Sequence, residues 1–225
     1  MKHQPTAFYT SESNWEPANK TASVIILTGT IFDARHVGVT WVTVPGNQPA
    51  KNGNLLALWQ SSGIPWGQKP LQKQPIAKND PSGDQMFQVE LQRKPYVVAY
   101  GSADTNTAWA GTLQFNPGNK EGVPFVTQID LQAAGNDSLL AIYKTPLLNV
   151  PVSNKNWIGL WNDSQPTWDG TNRIKKVDVD GITAEGSQPM SGLNLLMNST
   201  YCLAYAVGPK DSDIAAYVRF TTQPF

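Results

Sequence analysis

The sequence has very little of what metal sites, disulfides and nucleic-acid binding require. It contains one cysteine and two histidines in 225 residues. No intrachain disulfide can therefore form, and neither a four-cysteine zinc site nor one with two cysteines and two histidines is available within the chain. Charged residues make up only 15% of the sequence, and 17 basic side chains balance 17 acidic ones. Because the chain has no net charge, no nucleic-acid partner is predicted.

Long apolar runs are missing as well. No stretch approaches the roughly 18 consecutive apolar residues of a membrane helix, so no membrane span is predicted. The N-terminal sequence MKHQPTAFYTSES also lacks the apolar segment that is typical of a signal peptide. We therefore expect a cytoplasmic protein, and release from the cell is the alternative that the sequence leaves open.

Recognisable catalytic and cofactor motifs are not found either. The sequence has no phosphate-binding glycine loop, kinase signature or dinucleotide fingerprint, so no cofactor is predicted. His36 is not near a G-x-S-x-G elbow, which argues against a hydrolytic triad. Two carboxylate pairs, Asp178 with Asp180 and Asp211 with Asp213, keep a carboxylate-dependent hydrolase as a third candidate. We predict that the protein is not an enzyme and has neither catalytic residues nor a metal site.

Turn-forming residues and tryptophan, by contrast, are abundant. The 18 glycines and 17 prolines are scattered along the chain, which also carries eight tryptophans. Between the turn signals lie short stretches in which apolar and polar residues alternate, and segments rich in Ala, Glu, Lys and Leu are missing. This composition predicts an all-β protein.

The chain also repeats itself. Trp59 and Trp66 recur 102 positions later as Trp161 and Trp168, with the same spacing. Further along the offset is 105, where YVVAY returns as YCLAY. A three-residue change between two matched blocks is what a loop insertion gives, so the sequence predicts an internal duplication. The polar segment NPGNKEG is the predicted link, which places the two domains at 1–118 and 119–225.

Each copy has the usual length of an immunoglobulin-like β-sandwich, and its strands can be located by alternation. In copy two, FVTQIDLQ, RIKKVDVDG and LNLLM are among the predicted strands, and EGSQP is a predicted turn. Within RIKKVDVDG, Val177 and Val179 share one face whereas Ile174 is out of phase, which indicates a β-bulge. We predict two tandem immunoglobulin-like β-sandwich domains.

One strand carries a resemblance to known domains. NWIGLW at 156–161, followed by the ending YCLAYAVGPKDSDIAAYVRF, resembles SKICH-type domains and the fibronectin-III-like domains that precede purple acid phosphatases. The resemblance covers roughly the last 85 residues and fits copy one poorly, since Leu55 and Ala57 replace Trp157 and Gly159. It implies an immunoglobulin-like sandwich and favours a binding role, because SKICH-like domains are protein or membrane adaptors. No ligand-contact motif can be carried over.

The loops after the repeated strand contain the candidate binding site. The first tryptophan of each pair, Trp59 or Trp161, ends an apolar strand and is predicted to be buried. The second, Trp66 or Trp168, lies among Pro, Gly and polar residues, where an exposed ring could stack on a sugar or anchor a protein interface. The alternative is that this ring only closes the end of its own sandwich. The candidate ligand-binding residues are Trp66, Trp168, Asn162, Asp163, Asp169 and Gln60.

These observations rank three functions. The first is a non-enzymatic binding protein that recognises carbohydrate, as a lectin does, through end loops that carry tryptophan. The alternative is a protein-interaction, self-assembling or toxin-like component that binds a protein ligand or forms a homo-oligomer. The carboxylate-dependent hydrolase comes third.

Overall fold

The computed structural model describes residues 18–223, and this part of the chain is built from strands. A single turn of 3-10 helix, Asp211–Asp213, is the one helical element in the described range. Among the described residues there is also no helix with the length and apolar character that a membrane crossing requires. The strands are β1 (Ala18–Val24), β2 (Ile26–Ile31), β3 (His36–Val42), β4 (Leu55–Trp59), β5 (Gln72–Pro75), β6 (Ser82–Gln88), β7 (Tyr96–Gly101), β8 (Trp109–Phe115), β9 (Val123–Val126), β10 (Gln128–Ala134), β11 (Ser138–Lys144), β12 (Trp157–Trp161), β13 (Arg173–Asp178), β14 (Glu185–Ser191), β15 (Thr200–Ala206) and β16 (Ile214–Thr221).

The strands form two β-sandwiches with the same topology. In the first, the sheet β2-β3-β6 faces a sheet that contains β5-β4-β7-β8. In the second, β10-β11-β14 faces β13-β12-β15-β16. Aromatic pairs join the two layers of each sandwich: ring centroids lie 6.2 Å apart for Trp41 and Tyr100, and 5.2 Å apart for Tyr143 and Tyr205. The predicted fold, two tandem immunoglobulin-like sandwiches, is confirmed.

The two sandwiches exchange strands. β1 precedes the first sandwich in sequence but pairs with β16, the edge of the second, with Val24 opposite Ala216. β9 precedes the second sandwich and pairs with β8, the edge of the first, with Val126 opposite Gly111. Each larger sheet thus gains a fifth strand from the other copy, and the exchange is reciprocal.

A single buried residue separates each exchanged strand from the strand that follows it. Ile25 lies between β1 and β2, and Thr127 lies between β9 and β10, 102 positions later. Both residues are completely buried. Strand pairing therefore crosses the predicted division at residue 118, although that boundary between the copies stays a prediction.

Trp59 and Trp161 are buried as predicted, but they pack on the outer face of their sheet rather than between the two sheets. In β4, Leu56 and Leu58 belong to the core between the sheets, whereas Leu55 and Trp59 join a separate apolar cluster with Trp109. In β12, alternation likewise puts Trp157 and Trp161 on the face opposite the inward-facing residues. There the guanidinium of Arg173 lies 5.1 Å and 5.8 Å from the centroids of the two indole rings.

Gly159 is what allows the two indole rings of β12 to approach each other. A Cβ atom at this position would lie 2.6 Å from the Trp161 ring and 2.8 Å from the Trp157 ring. Any larger side chain at this position would therefore force the rings apart.

Two strand predictions were wrong for tertiary reasons. LNLLM is a loop, because the backbone N–H groups of Leu193 and Leu195 donate to the turn at Asp137 and Asn136 rather than to a neighbouring strand. EGSQP, the predicted turn, lies inside β14, which pairs along its whole length with β11. Its proline is tolerated because β14 is an edge strand.

Two further sequence predictions concern strand irregularities. The bulge in β13 is confirmed: Lys175 lies opposite Leu160 and Arg173 opposite Trp161, so that Ile174 has no partner on β12. FVTQIDLQ, by contrast, is divided at Thr127 into the end of β9 and the start of β10.

Candidate functional site

The loops that carry the second tryptophan of each pair lie where the two copies meet. The indole N–H of Trp66 donates to the carbonyl oxygen of Leu147, 2.9 Å away, in copy two. Trp168 packs on Gly46 of copy one, where a Cβ atom would lie 2.9 Å from its ring. Leu147 and Gly46 belong to the equivalent loop of the two copies, because 102 positions separate Gly46 from Leu148. Each loop tryptophan therefore reaches the other copy.

These contacts create two related surfaces with different chemistry. We call the surface formed by 46–52 and 165–171 the polar junction. We call the surface formed by 62–64, 144–150 and 182–185 the apolar junction. Both predicted loop tryptophans are half-buried rather than freely exposed. A ligand that contacts the accessible face of either indole ring therefore also contacts the loop of the opposite copy.

A buried asparagine network fixes the loop of the apolar junction. The amide of Asn149 donates to Thr145 Oγ1 at 2.9 Å and to Asn156 Oδ1 at 2.8 Å. Asn154 donates to Asn149, and the hydroxyl of Tyr205 donates to Asn156 Oδ1 at 3.0 Å. Burial raises the pKa of Tyr205, which therefore remains a neutral donor at ordinary pH.

The same network recurs in copy one and fixes the loop of the polar junction. Asn47 donates to Thr43 and, at 2.7 Å, to Asn54 Oδ1; Tyr100 donates to the same oxygen at 2.8 Å. Asn52 completes it by donating to Asn47. The pattern T-x3-N-x4-N-x-N begins at Thr43 and again 102 positions later. That spacing was the signal by which sequence reasoning could have found these residues.

The polar junction contains a cavity of about 510 Å³ beside Trp168. Its polar lining consists of Gln48, Lys51, Asn52, Gln165, Thr167, Asp169 and Thr171. The backbone N–H of Thr171 donates to Asp169 Oδ1 at 2.9 Å and lowers the pKa of that exposed carboxyl, which is therefore ionised at neutral pH. Gly46 has a φ of +88°, a conformation that also suits glycine at the point where the indole approaches.

The apolar junction is a cleft of about 740 Å³. Three large apolar side chains on its lining are strongly exposed: Leu147 at 75%, Leu148 at 70% and Ile182 at 73%. Leu148 has a φ of +64°, a left-handed conformation that is uncommon for a side chain of this size. At the equivalent position copy one has Gly46, so the two junctions differ in backbone strain as well as in polarity.

Apart from Asp169, the other predicted site residues do not lie beside either loop tryptophan. Asn162 and Asp163 lie in a third, polar depression with Lys20 and Arg219, beside the exchanged strand β1. Gln60 is exposed just after β4 ends. Of the six candidate residues, the structure therefore brings Trp168 and Asp169 into one cavity and Asn162 and Asp163 into another. The ligand-binding role of all six stays a prediction.

The predicted carboxylate pairs lie in unlike environments. Asp211 forms an ion pair with Arg173, while Asp178 and Asp180 are exposed. Asp213 is buried, and burial raises its pKa above the ordinary value of 3.8. Among residues 18–223 no group of three or more His, Cys, Asp or Glu side chains is arranged to hold a metal ion.

The buried Asp213 leads to a pH-dependent prediction. Because its pKa is raised in the folded state, the folded protein favours the protonated carboxyl, and this contribution to stability is lost as pH rises from the ordinary aspartate value through the raised pKa of the folded state. Asp213→Asn removes the charge and keeps an acceptor for the Lys210 N–H, which now donates at 2.8 Å. We expect the variant to be more stable than the wild type by about 1 kcal/mol at neutral pH, and this difference to shrink near pH 3.

Thermal unfolding of both proteins across this pH range measures the difference. Asp180→Asn, at an exposed position, is the control and should show no such trend. A difference for Asp213→Asn that does not change with pH would contradict the prediction.

Among known proteins, the chain shows similarity to solved structures only. No protein-family model matches the chain, and no curated protein matches it. The chain is similar to the FN1-FN3 domains of chicken CNTN1, at 13% sequence identity, with 92% of this chain and 67% of that chain covered and a TM-score of 0.29. It is similar to the chicken interferon gamma receptor alpha chain, at 12% identity, with 87% and 98% covered and a TM-score of 0.29.

A third similar structure is the receptor tyrosine kinase Torso, at 13% identity, with 94% of this chain and 77% of that chain covered and a TM-score of 0.22. At such TM-scores these similarities support no conclusion about ligands, and the immunoglobulin-like fold rests on the strand pairing described above. The SKICH-type resemblance and the cytoplasmic location stay predictions.

Proposed function

We propose that the protein is a non-enzymatic binding protein and that its polar junction binds carbohydrate. The observation that carries this proposal is the position of Trp168, a half-buried ring at the wall of a cavity whose polar side chains are amides, hydroxyls, the amino group of Lys51 and an ionised carboxylate. A sugar ring offers an apolar C–H face for the indole and hydroxyl groups for its neighbours. The cavity volume of about 510 Å³ lies within the range of small-ligand sites.

The lining explains how such a ligand is held. Asp169 Oδ1 accepts from the backbone N–H of Thr171, and the exposed carboxylate can also accept from a ligand hydroxyl. Gln48 and Gln165 are exposed and come from the two different copies. Each of their amides can both donate and accept, which suits a pair of neighbouring hydroxyls. A bound sugar therefore bridges the copies.

A glycan array followed by titration tests the proposal. Trp168→Ala should weaken binding of any sugar found by at least about tenfold, which corresponds to about 1.4 kcal/mol, because the stacking surface is lost. Gln165→Ala, which removes an exposed side chain and spares the fold, should weaken it as well. The matched control is Trp66→Ala at the equivalent position of the apolar junction, which should leave sugar affinity unchanged. Silence across a broad array would count against carbohydrate binding.

A second candidate function is protein binding through the apolar junction. The observation that favours it is the group of three strongly exposed apolar side chains, Leu147, Leu148 and Ile182, around one cleft. Exposed apolar patches of this kind mark interaction surfaces.

A further inference from the structure

We infer that the apolar junction is a homodimer interface, on which a second copy of this chain places its own Leu147, Leu148 and Ile182. The inference rests on the second candidate function and names the partner. It does not involve the polar junction, so that sugar binding and self-association can succeed or fail separately.

The strained backbone at Leu148 indicates that its side chain has a use. A leucine in the left-handed region costs free energy that a glycine in the same place does not. Copy one has glycine there, with a φ of +88°. Copy two has leucine, with a φ of +64° and 70% of the side chain exposed. This conformation raises the free energy of the monomer, and it presents an apolar group to water. Both features suit a contact that forms after folding.

The patch is complementary to itself. Leu147, Leu148 and Ile182 project from the surface, and the cleft of about 740 Å³ that they line is concave. The cleft wall also contains apolar surface from Ile64, in the loop after β4, and from Phe125 on β9. In a two-fold dimer the same patch meets itself, so a projection and a recess must lie side by side on one surface. The apolar junction has both.

The charges around the cleft also suit a second copy. Lys144 and Glu185 lie opposite each other on β11 and β14, with Nζ and Oε2 3.7 Å apart, and both remain largely exposed. Both residues line the cleft. A two-fold axis that passes between Lys144 and Glu185 brings the Lys144 of each copy towards the Glu185 of the other, which is an attractive arrangement. The zero net charge of the chain removes the general repulsion between like copies.

The first test is the oligomeric state of the full chain by analytical ultracentrifugation over a wide range of protein concentration. We expect a reversible monomer–dimer equilibrium. Leu148→Gly should weaken the dimer about 30-fold, because it removes a central apolar contact. It should also fold at least as stably as the wild type, because glycine suits a φ of +64°. Leu71→Ala, at an exposed leucine outside the patch, is the control and should dimerise normally.

The second test uses charge reversal and identifies the partner. Lys144→Glu leaves two acidic residues, at 144 and 185, beside the cleft of each copy. Glu185→Lys leaves two basic residues at the same positions. Each variant alone should dimerise more weakly than the wild type, whereas an equimolar mixture should form a tight heterodimer. A wild-type chain that is monomeric at every concentration, a Leu148→Gly variant that dimerises normally, or a mixture that forms no heterodimer would each overturn the inference. Binding of a hydrophobic dye to a strictly monomeric chain would assign the cleft to a small apolar ligand instead.

Discussion

Deleting residues 1–24 will destabilise the second sandwich more than the first, although the deletion removes the N-terminus. The deleted segment contains β1, which pairs with β16 at five positions in the second sandwich and belongs to neither sheet of the first. Each backbone hydrogen bond in such a ladder contributes about 1 kcal/mol net, so the loss is about 3–5 kcal/mol. This is a large fraction of the 5–15 kcal/mol that holds a typical domain together.

Hydrogen exchange measured by mass spectrometry will locate the effect. Amides of β16 should lose protection first, because their partners on β1 are gone, while β2 and β3 retain their pairing. Deleting residues 1–16 is the matched control, since it leaves β1 in place. Loss of protection concentrated in β2, β3 and β6 would show that the N-terminal strand belongs to the first sandwich and that the exchange described here is wrong.

The strand exchange shows a limit of sequence reasoning. Repeats and alternation located most strands and the fold class, because a period of two and a duplicated phrase are local properties of the chain. In SVIILTGTIF the end of β1 and all of β2 follow one another with no polar or turn-forming residue at Ile25 to mark a break. Which sheet each half joins depends on a partner nearly 200 positions away, and local pattern contains no information about it.

The candidate site shows the same limit in another form. Placing Trp66 and Trp168 in loops after a buried strand needed only their neighbours in sequence, and the structure agrees. Their surroundings come from the other copy, through Leu147 in one case and Gly46 in the other. Asn162 and Asp163 are close to Trp168 in sequence, yet they lie in a different depression because the chain turns between them.

The asparagine network differs from the strand exchange and the tryptophan loops, because its pattern is present in the sequence. Its role is to stabilise the fold. Asn156→Ala should lower the free energy of unfolding by about 3 kcal/mol, which corresponds to a fall in Tm of roughly 6–12 °C for a chain of this size. Asn156 is completely buried, and its Oδ1 accepts from both Asn149 and Tyr205. Truncation leaves the Tyr205 hydroxyl and one N–H of the Asn149 amide without their acceptor in the interior, which costs more than the net value of the lost bonds.

The exposed Asn162, six positions later, provides the control. Asn162→Ala should change the Tm by very little, because water replaces whatever its amide binds. Asn54→Ala, at the equivalent position in copy one, should cost about as much as Asn156→Ala, because Asn47 and Tyr100 lose the same acceptor. Equal and small effects at Asn156 and Asn162 would contradict a structural role for the network.

A double-mutant cycle separates the network from simple loss of packing. Tyr205→Phe removes the hydroxyl that donates to Asn156 and leaves the ring against Tyr143. If the three polar groups act as a unit, Asn156→Ala and Tyr205→Phe together should cost less than the sum of the single changes, by about 1 kcal/mol. The dimer dissociation constants of the same variants should show that Asn156→Ala also weakens self-association. Asn156 binds Asn149, and Asn149 anchors the loop that presents Leu148. Strict additivity in stability would mean that Asn156 and Tyr205 only fill space.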